Sequence, residues 1–175
     1  VHFVSDDEGW AVGEDMAGST GTILHYKDGS WSKVDPPSSY LDGKSYELRA
    51  VEFADASEGY AVGGNDKEAG AIILHYKDGQ WSSVGEDLLA GHNLRGLDVL
   101  AATEIWTGGQ NEGNVWGITN LSRPWGCFEL FSDGSGFSPV NQPQLLKNVI
   151  RCDYHFFVPE SGYVLGFFPT QTPNY

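Results

Sequence analysis

Positive charge is scarce in this chain. Ten Lys and Arg stand against 24 Asp and Glu in 175 residues, a formal net charge of −14. Such a surface repels phosphate backbones, so no nucleic-acid partner is expected. Docking on an anionic membrane is disfavoured for the same reason. What the charge attracts is cations and basic partners, and it keeps the chain soluble. Long apolar runs are missing too, so the sequence encodes no membrane span of roughly 18 apolar residues. Cysteine is nearly absent. Cys127 and Cys152 belong to no CxxC pair, so a zinc site has no support. They form one disulfide in an oxidising compartment, or they are two buried free thiols; both readings stay open. The chain starts at Val1, without Met, inside an apparent strand. That predicts a processed or partial chain, in which a missing signal peptide says little about location. High acidity with little Lys fits a saline or extracellular setting, so an extracellular or periplasmic place is expected.

Helical periodicity is the other absence: no stretch shows a convincing 3.6-residue pattern. Glycine (23 residues) and aromatics (13%) are plentiful. Together they suit β-strands joined by tight turns, whereas a helical bundle draws on Ala, Leu, Glu and Lys.

The strands repeat. Gly9-Trp10-Ala11-Val12-Gly13 returns 50 positions later as Gly59-Tyr60-Ala61-Val62-Gly63. His25-Tyr26-Lys27-Asp28-Gly29-Ser30-Trp31 returns at the same spacing as His75-Tyr76-Lys77-Asp78-Gly79-Gln80-Trp81. Two separated blocks holding one spacing mark an internal duplication. A looser third copy aligns Leu94-Arg95-Gly96-Leu97-Asp98-Val99 with Leu48-Arg49-Ala50-Val51-Glu52-Phe53, and Phe131-Ser132-Asp133-Gly134 with Tyr76-Lys77-Asp78-Gly79. A fourth contributes Tyr154 to Val158 and Gly162 to Gly166.

In the second copy, Leu48 to Ala54 alternates, with Val51 and Phe53 facing one way and Glu52 the other. Ala56-Ser57-Glu58 is a turn, Gly59 to Gly63 a strand of small residues suited to close packing between blades, and Ala71 to Lys77 a third strand. Asp78-Gly79 is a two-residue hairpin signal, and Gln80 to Val84 is a fourth strand anchored by Trp81. A single four-stranded sheet of this kind cannot bury both faces, which is why the unit recurs. The expected fold is all-β: a single partial β-propeller domain whose blades are four-stranded antiparallel meanders at about 1–34, 48–84, 94–140 and 148–175. That makes about three and a half blades, fewer than the four to eight of closed propellers. Either more blades lie outside this chain or it completes itself by pairing with another chain.

The pattern V-x-F-x-x-x-x-x-G-[WY]-A-V-G … I-L-H-Y-K-D-G-x-W resembles the repeats of photosystem II stability/assembly-factor-like proteins. It is also similar to the broader sialidase-type (bacterial neuraminidase repeat) propellers. Residues 1–34 and 48–84 carry the resemblance. Asp28-Gly29-Ser30-Trp31 and Asp78-Gly79-Gln80-Trp81 resemble a shortened Asp-box, which in that family is a structural turn between third and fourth strands. The resemblance implies a propeller that docks partners. The sialidase arginine triad has no counterpart here: only Arg49, Arg95, Arg123 and Arg151 occur, and Arg49 and Arg95 are repeat-equivalent scaffolding.

Recurring His25, His75, Trp31 and Trp81 read as structural, because a catalytic residue is needed once and a blade residue in every copy. The connection between second and third strands varies instead. It is Glu14 to Ser19 in copy one and Gly64 to Ala69 in copy two, and it grows to about fifteen residues, Gln110 to Pro124, in copy three. Trp116, Arg123 and the adjoining Trp125 make that loop the candidate ligand or partner surface, with Asp15, Asp66 and Glu68 on the equivalent loops. The alternative is a tolerated insertion, or an added strand packing Trp116 into the core. Carboxylates Glu14, Asp15, Asp66 and Glu68 are oxygen ligands of the Ca²⁺ type, without the spacing of a compact calcium loop. Asn120-Leu121-Ser122 matches a glycosylation sequon. Asp153 and His155 share a strand face, but no nucleophile motif accompanies them.

With no unrepeated polar cluster, catalysis is not expected, and neither is a cofactor. The expected function is a non-catalytic binding or assembly module whose partner is a protein, including a second copy of itself. The alternative is a glycan-acting or carbohydrate-binding propeller, with Trp116 or Trp125 stacked on a sugar.

Overall fold

The computed structural model describes residues 1–15, 21–37, 45–65, 70–85, 92–111, 127–139, 151–158 and 161–167, with backbone only for 110–111, 127–129 and the last two segments. All regular structure among them is β. The first sheet holds β1 (His2–Ser5), β2 (Glu8–Glu14), β3 (Gly21–Lys27) and β4 (Ser30–Val34). The second holds β5 (Glu47–Asp55), β6 (Glu58–Asn65), β7 (Gly70–Lys77) and β8 (Gln80–Val84). The third holds β9 (His92–Ala101), β10 (Glu104–Asn111), β11 (Cys127–Ser132) and β12 (Phe137–Pro139), and a hairpin follows, β13 (Arg151–Val158) with β14 (Ser161–Phe167). Each four-stranded sheet is a meander in chain order, antiparallel throughout. The architecture is that of β-propeller blades, three whole and one begun.

The turns explain the meanders. Asp28 and Gly29 take φ of 50° and 86°, and Asp78 and Gly79 take 49° and 89°. Positive φ at both central residues is the two-residue turn whose twist matches the flanking strands, and Asp and Gly tolerate it best. The Asp28 amide also donates to Asp7 O, and the Asp78 amide to Ser57 O, each at 3.1 Å. These bonds tie the third-to-fourth-strand turn to the first-to-second-strand turn of the same blade.

Alternation divides the strands of the second blade between two cores. In β7, Ile72, Leu74 and Tyr76 join Trp10, Ile23, Leu48, Val51, Phe53 and Ala61 between the first two blades. Ala71 and Ile73 join Tyr60, Val62, Leu94, Val99, Ile105 and Leu130 between the second and third. Ile72, Ile73 and Leu74 are all fully buried, as a central blade requires. β5 packs against β1, β2 and β3, β9 against β5, β6 and β7, and β13 lies beside β9 and β10. Thus β5, β9 and β13 each lean on the blade before their own.

Three readings of the sequence need correction. Leu48 shares a face with Val51 rather than with Ala50, because a bulge interrupts the β5–β6 register between Leu48 and Ala50. Ala61 of β6 packs between blades, but Gly59 and Gly63 serve contacts inside their own blade: a Cβ on Gly59 would lie 2.4 Å from the Phe53 ring, and one on Gly63 would lie 2.0 Å from Glu47 O. In the third blade the Asp-Gly alignment is displaced by one residue. Trp106 pairs with Phe131, as Tyr60 pairs with His75, so Phe131 stands where His75 stands. The cause is a longer turn, Asp133 to Gly136, in which Asp133 Oδ1 accepts from the Ser135 amide (3.0 Å) and hydroxyl (2.6 Å).

Candidate functional site

A meander sends its tight turns to one end and its remaining connections to the other. The β1–β2 and β3–β4 turns and their repeats share the first end. The β2–β3, β6–β7 and β10–β11 connections share the opposite end with the links between blades. This second end carries the segments whose length and composition differ from copy to copy, and it is the candidate partner face.

The described rim of that face is polar and internally braced. Asp15 Oδ2 sits 3.3 Å from Lys33 Nζ across the first blade. Arg49, at the β5 bulge, pairs with Glu47 and donates from Nη1 to Leu94 O of the third blade at 3.3 Å. Asn65 Nδ2 donates to the Ser45 carbonyl. Asn65 and Asn93 are buried, and a Cβ on Gly64 would lie 3.0 Å from Asn93 Oδ1. Tyr46 of the second blade covers Gly21 of the first, where an added Cβ would meet its ring at 2.5 Å. The arrangement is a hydrogen-bonded platform at the ends of the strands. Its described residues hold no acid–base pair with a nucleophile. Among the described residues no group of three or more His, Cys, Asp and Glu is placed to hold a metal ion.

Of the residues singled out in the sequence, Asp15 lies on this rim. Trp116, Arg123, Trp125, Asp66 and Glu68 lie outside the described residues. Cys127 is the first residue of β11 and Cys152 the second of β13; their side chains are likewise outside the description. The variable segments are shorter than they read in sequence: Glu14 ends β2, Gly64 and Asn65 belong to β6, and Gln110 and Asn111 belong to β10. Glu47, Asn65 and Asn93 were not singled out. Their only signal is position, next to a bulge or at a strand end, and that is not visible without the register.

The other end carries a recurring unit. His25 stacks on Trp10 (centroids 3.9 Å apart, 10° between planes) and donates from Nε2 to Glu8 Oε1 at 2.8 Å. His75 stacks on Tyr60 (4.4 Å, 3°) and reaches Glu58 Oε1 at 3.0 Å. Lys27 and Lys77 close on the same carboxylates at 3.4 and 3.5 Å. The hydrogen bond from His25, and then Lys27, holds the Glu8 carboxyl below its usual range. Burial, helped by the Glu58 charge, pushes the Tyr60 phenol up to about 12. Each aromatic ring then enters the next blade. Trp10 lies 5.5 Å from Phe53, 4.8 Å from Tyr76 and 5.5 Å, edge-on, from Trp81. Tyr60 meets Phe137 edge-on at 5.9 Å. Repetition and burial make this unit a joint between blades.

Blades, joints and a loop-bearing end define the chain as part of a β-propeller. Among solved structures it is similar to YCF48 bound to D1 peptide, with a TM-score of 0.51 and 20% identity over 81% of this chain. The match spans 38% of that protein, so this chain accounts for well under half of its length. No protein-family model and no curated protein matches the sequence.

Proposed function

We propose that this chain is a non-catalytic binding or assembly module that holds a protein segment at the loop-bearing end of its blades. The observation that carries this reading is the shared fold with YCF48, whose solved structure has a D1 peptide bound. The braced rim of Asp15, Glu47, Arg49, Asn65 and Asn93 supports it, because loops on a rigid scaffold are where binding residues concentrate. A net charge of −14 favours a basic partner segment.

Trp116, Arg123 and Trp125 are the proposed contacts on the longest loop, with Asp15, Asp66 and Glu68 beside them. Fluorescence anisotropy with labelled D1 peptide tests the reading directly. Binding that weakens about tenfold in Trp116→Ala and Arg123→Ala supports it, and that loss is about 1.4 kcal/mol. Peptide binding absent from the full chain, or unaltered in both variants, counts against it. A glycan array is expected to stay silent. Array binding that disappears in Trp116→Ala favours the carbohydrate reading instead. An extracellular or periplasmic place, with Cys127 and Cys152 joined, belongs to the same proposal. Thiol labelling of the unreduced, unfolded chain is expected to find neither cysteine reactive.

A further inference from the structure

The first two joints between blades share a pair of facing positions at their loop-bearing end. In the first joint the pair is Gly21 on β3 and Leu48 on β5, where an added Cβ on Gly21 would meet Leu48 Cγ at 2.9 Å. Register carries the pair to the second joint. Gly21 pairs with Glu14 as Ala71 pairs with Gly64, and Leu48 pairs with Gly63 as Leu94 pairs with Gly109. Ala71 and Leu94 are both fully buried in the core between the second and third blades. Backbone pairing then fixes the same two positions in the third joint. Trp106 stands where Tyr60 stands, so Gln110 stands where Gly64 does, and its partner on β11 is Cys127. Phe156 pairs with Gly162 as Phe53 pairs with Gly59, so Gly166 stands where Gly63 does, and its partner on β13 is Cys152. β13 lies beside β9 and β10. The two cysteines of the chain therefore take the two facing positions of one joint.

We infer that Cys127 and Cys152 form a disulfide that staples the fourth blade to the third. Spacing explains why this position takes that chemistry. A separation of 2.9 Å between a Cβ and the γ atom opposite is too short for two unbonded side chains. The first joint avoids the clash with Gly21, and the second limits the side chain to the methyl of Ala71. The same separation is close to the roughly 3 Å between a Cβ and the far sulfur across an S–S bond. A pair of cysteines meets the constraint by bonding. The bond forms by exchange with a small-molecule disulfide such as oxidised glutathione. One Cys thiolate attacks it and expels a glutathione thiolate, and the second attacks the mixed disulfide and expels the other. Two protein thiols are thereby oxidised, and one donor disulfide is reduced to two thiols. Cys127 follows the connection that carries Trp116, Arg123 and Trp125, so the bond anchors the end of that connection to the next blade. The inference deepens the cysteine pairing proposed above by fixing what the bond fastens, and it does not depend on peptide binding.

The full chain equilibrated in oxidised and reduced glutathione tests it. Peptide mapping without reductant is expected to find Cys127 and Cys152 joined within one chain. Cys127→Ser and Cys152→Ser are each expected to leave the other cysteine open to alkylation. Hydrogen exchange reads what the bond holds. Reduction, or either serine variant, is expected to speed amide exchange about tenfold or more in β13, β14 and the start of β11. Exchange in β2, β3 and β5, which meet at the first joint, is expected to stay unchanged, and that separates a lost staple from a lost fold. Two alkylatable thiols at every glutathione ratio, a bond formed only between chains, or exchange in β13 and β14 that ignores reduction overturns the inference. No readout involves the peptide, so the staple and the binding reading fail separately.

Discussion

Glycine and tyrosine positions show how one residue type carries different demands in different copies. Gly63 and Gly13 are repeat-equivalent, but a Cβ on Gly63 would lie 2.0 Å from Glu47 O, and one on Gly13 meets nothing within 4 Å. Gly63→Ala is therefore expected to cost about 1–3 kcal/mol or more by forced displacement. Gly13→Ala is expected to be neutral or to add a few tenths, roughly 0.4–1 kcal/mol, through the unfolded chain. Urea denaturation of both variants checks the contrast. Tyr60 gives a second test. Its folded-state pKa of about 12 lies above the ordinary 10.0, so the unfolded chain loses its proton first. The stability this provides is complete below the ordinary value and is lost as pH rises from there toward about 12. Thermal melts in alkali are expected to fall more steeply for the native chain than for Tyr60→Phe. The sequence showed both glycines and the tyrosine, but identical motifs hid their unequal neighbours.

Strands and turns were more legible than single contacts. The Asp28-Gly29 and Asp78-Gly79 hairpins could be read because a two-residue turn with positive φ draws on few residue types. Period-two alternation identified Val51 and Phe53 as one face of β5 and Glu52 as the other; Glu52 accepts from the Val99 amide at 2.8 Å. Bulges were not legible, since inserting a residue into one strand leaves no compositional mark. The lengthened β11–β12 turn was missed for a related reason: Asp-Gly occurs there too, inside a different turn. The interlocking of elements gives two predictions. Trp10 is 3% exposed and touches rings on two blades, so Trp10→Ala is expected to cost about 3–5 kcal/mol in chemical denaturation. Glu8 ionises below its ordinary 4.5 because His25 and Lys27 hold the anion. The unfolded chain then binds more protons in acid, so the contribution is present above that value and lost as pH falls through the folded one. Melting temperature below pH 4.5 is expected to drop less steeply in Glu8→Gln than in the native chain.

For the molecule as a whole, charge and repetition dominate. With a net charge of −14, self-repulsion opposes the compact state. Raising salt to about 0.5 M shortens the screening length well below 10 Å. The melting temperature is expected to rise with added NaCl, measured at low protein concentration so that association does not contribute. A fall would show that the Glu8–Lys27 and Asp15–Lys33 pairs outweigh the repulsion. Repetition also sets cooperativity. Each blade buries its faces only against its neighbours, so the second blade, sealed on both sides, is the one whose disruption unfastens the rest.

The amino-acid sequence alone determined the strand content, the 50-residue period, the hairpin turns and the stacked-blade architecture. These follow from local rules: alternation, turn conformation and the impossibility of burying both faces of a lone sheet. Only the tertiary structure decided which copies of a repeated residue are filled and which are open. Phe3 and Phe53, and Trp31 and Trp81, are equivalent in their own strands. The difference comes from what the neighbouring blade places across the gap. Contacts between blades are non-local, so they leave no trace in the spacing of the residues that make them.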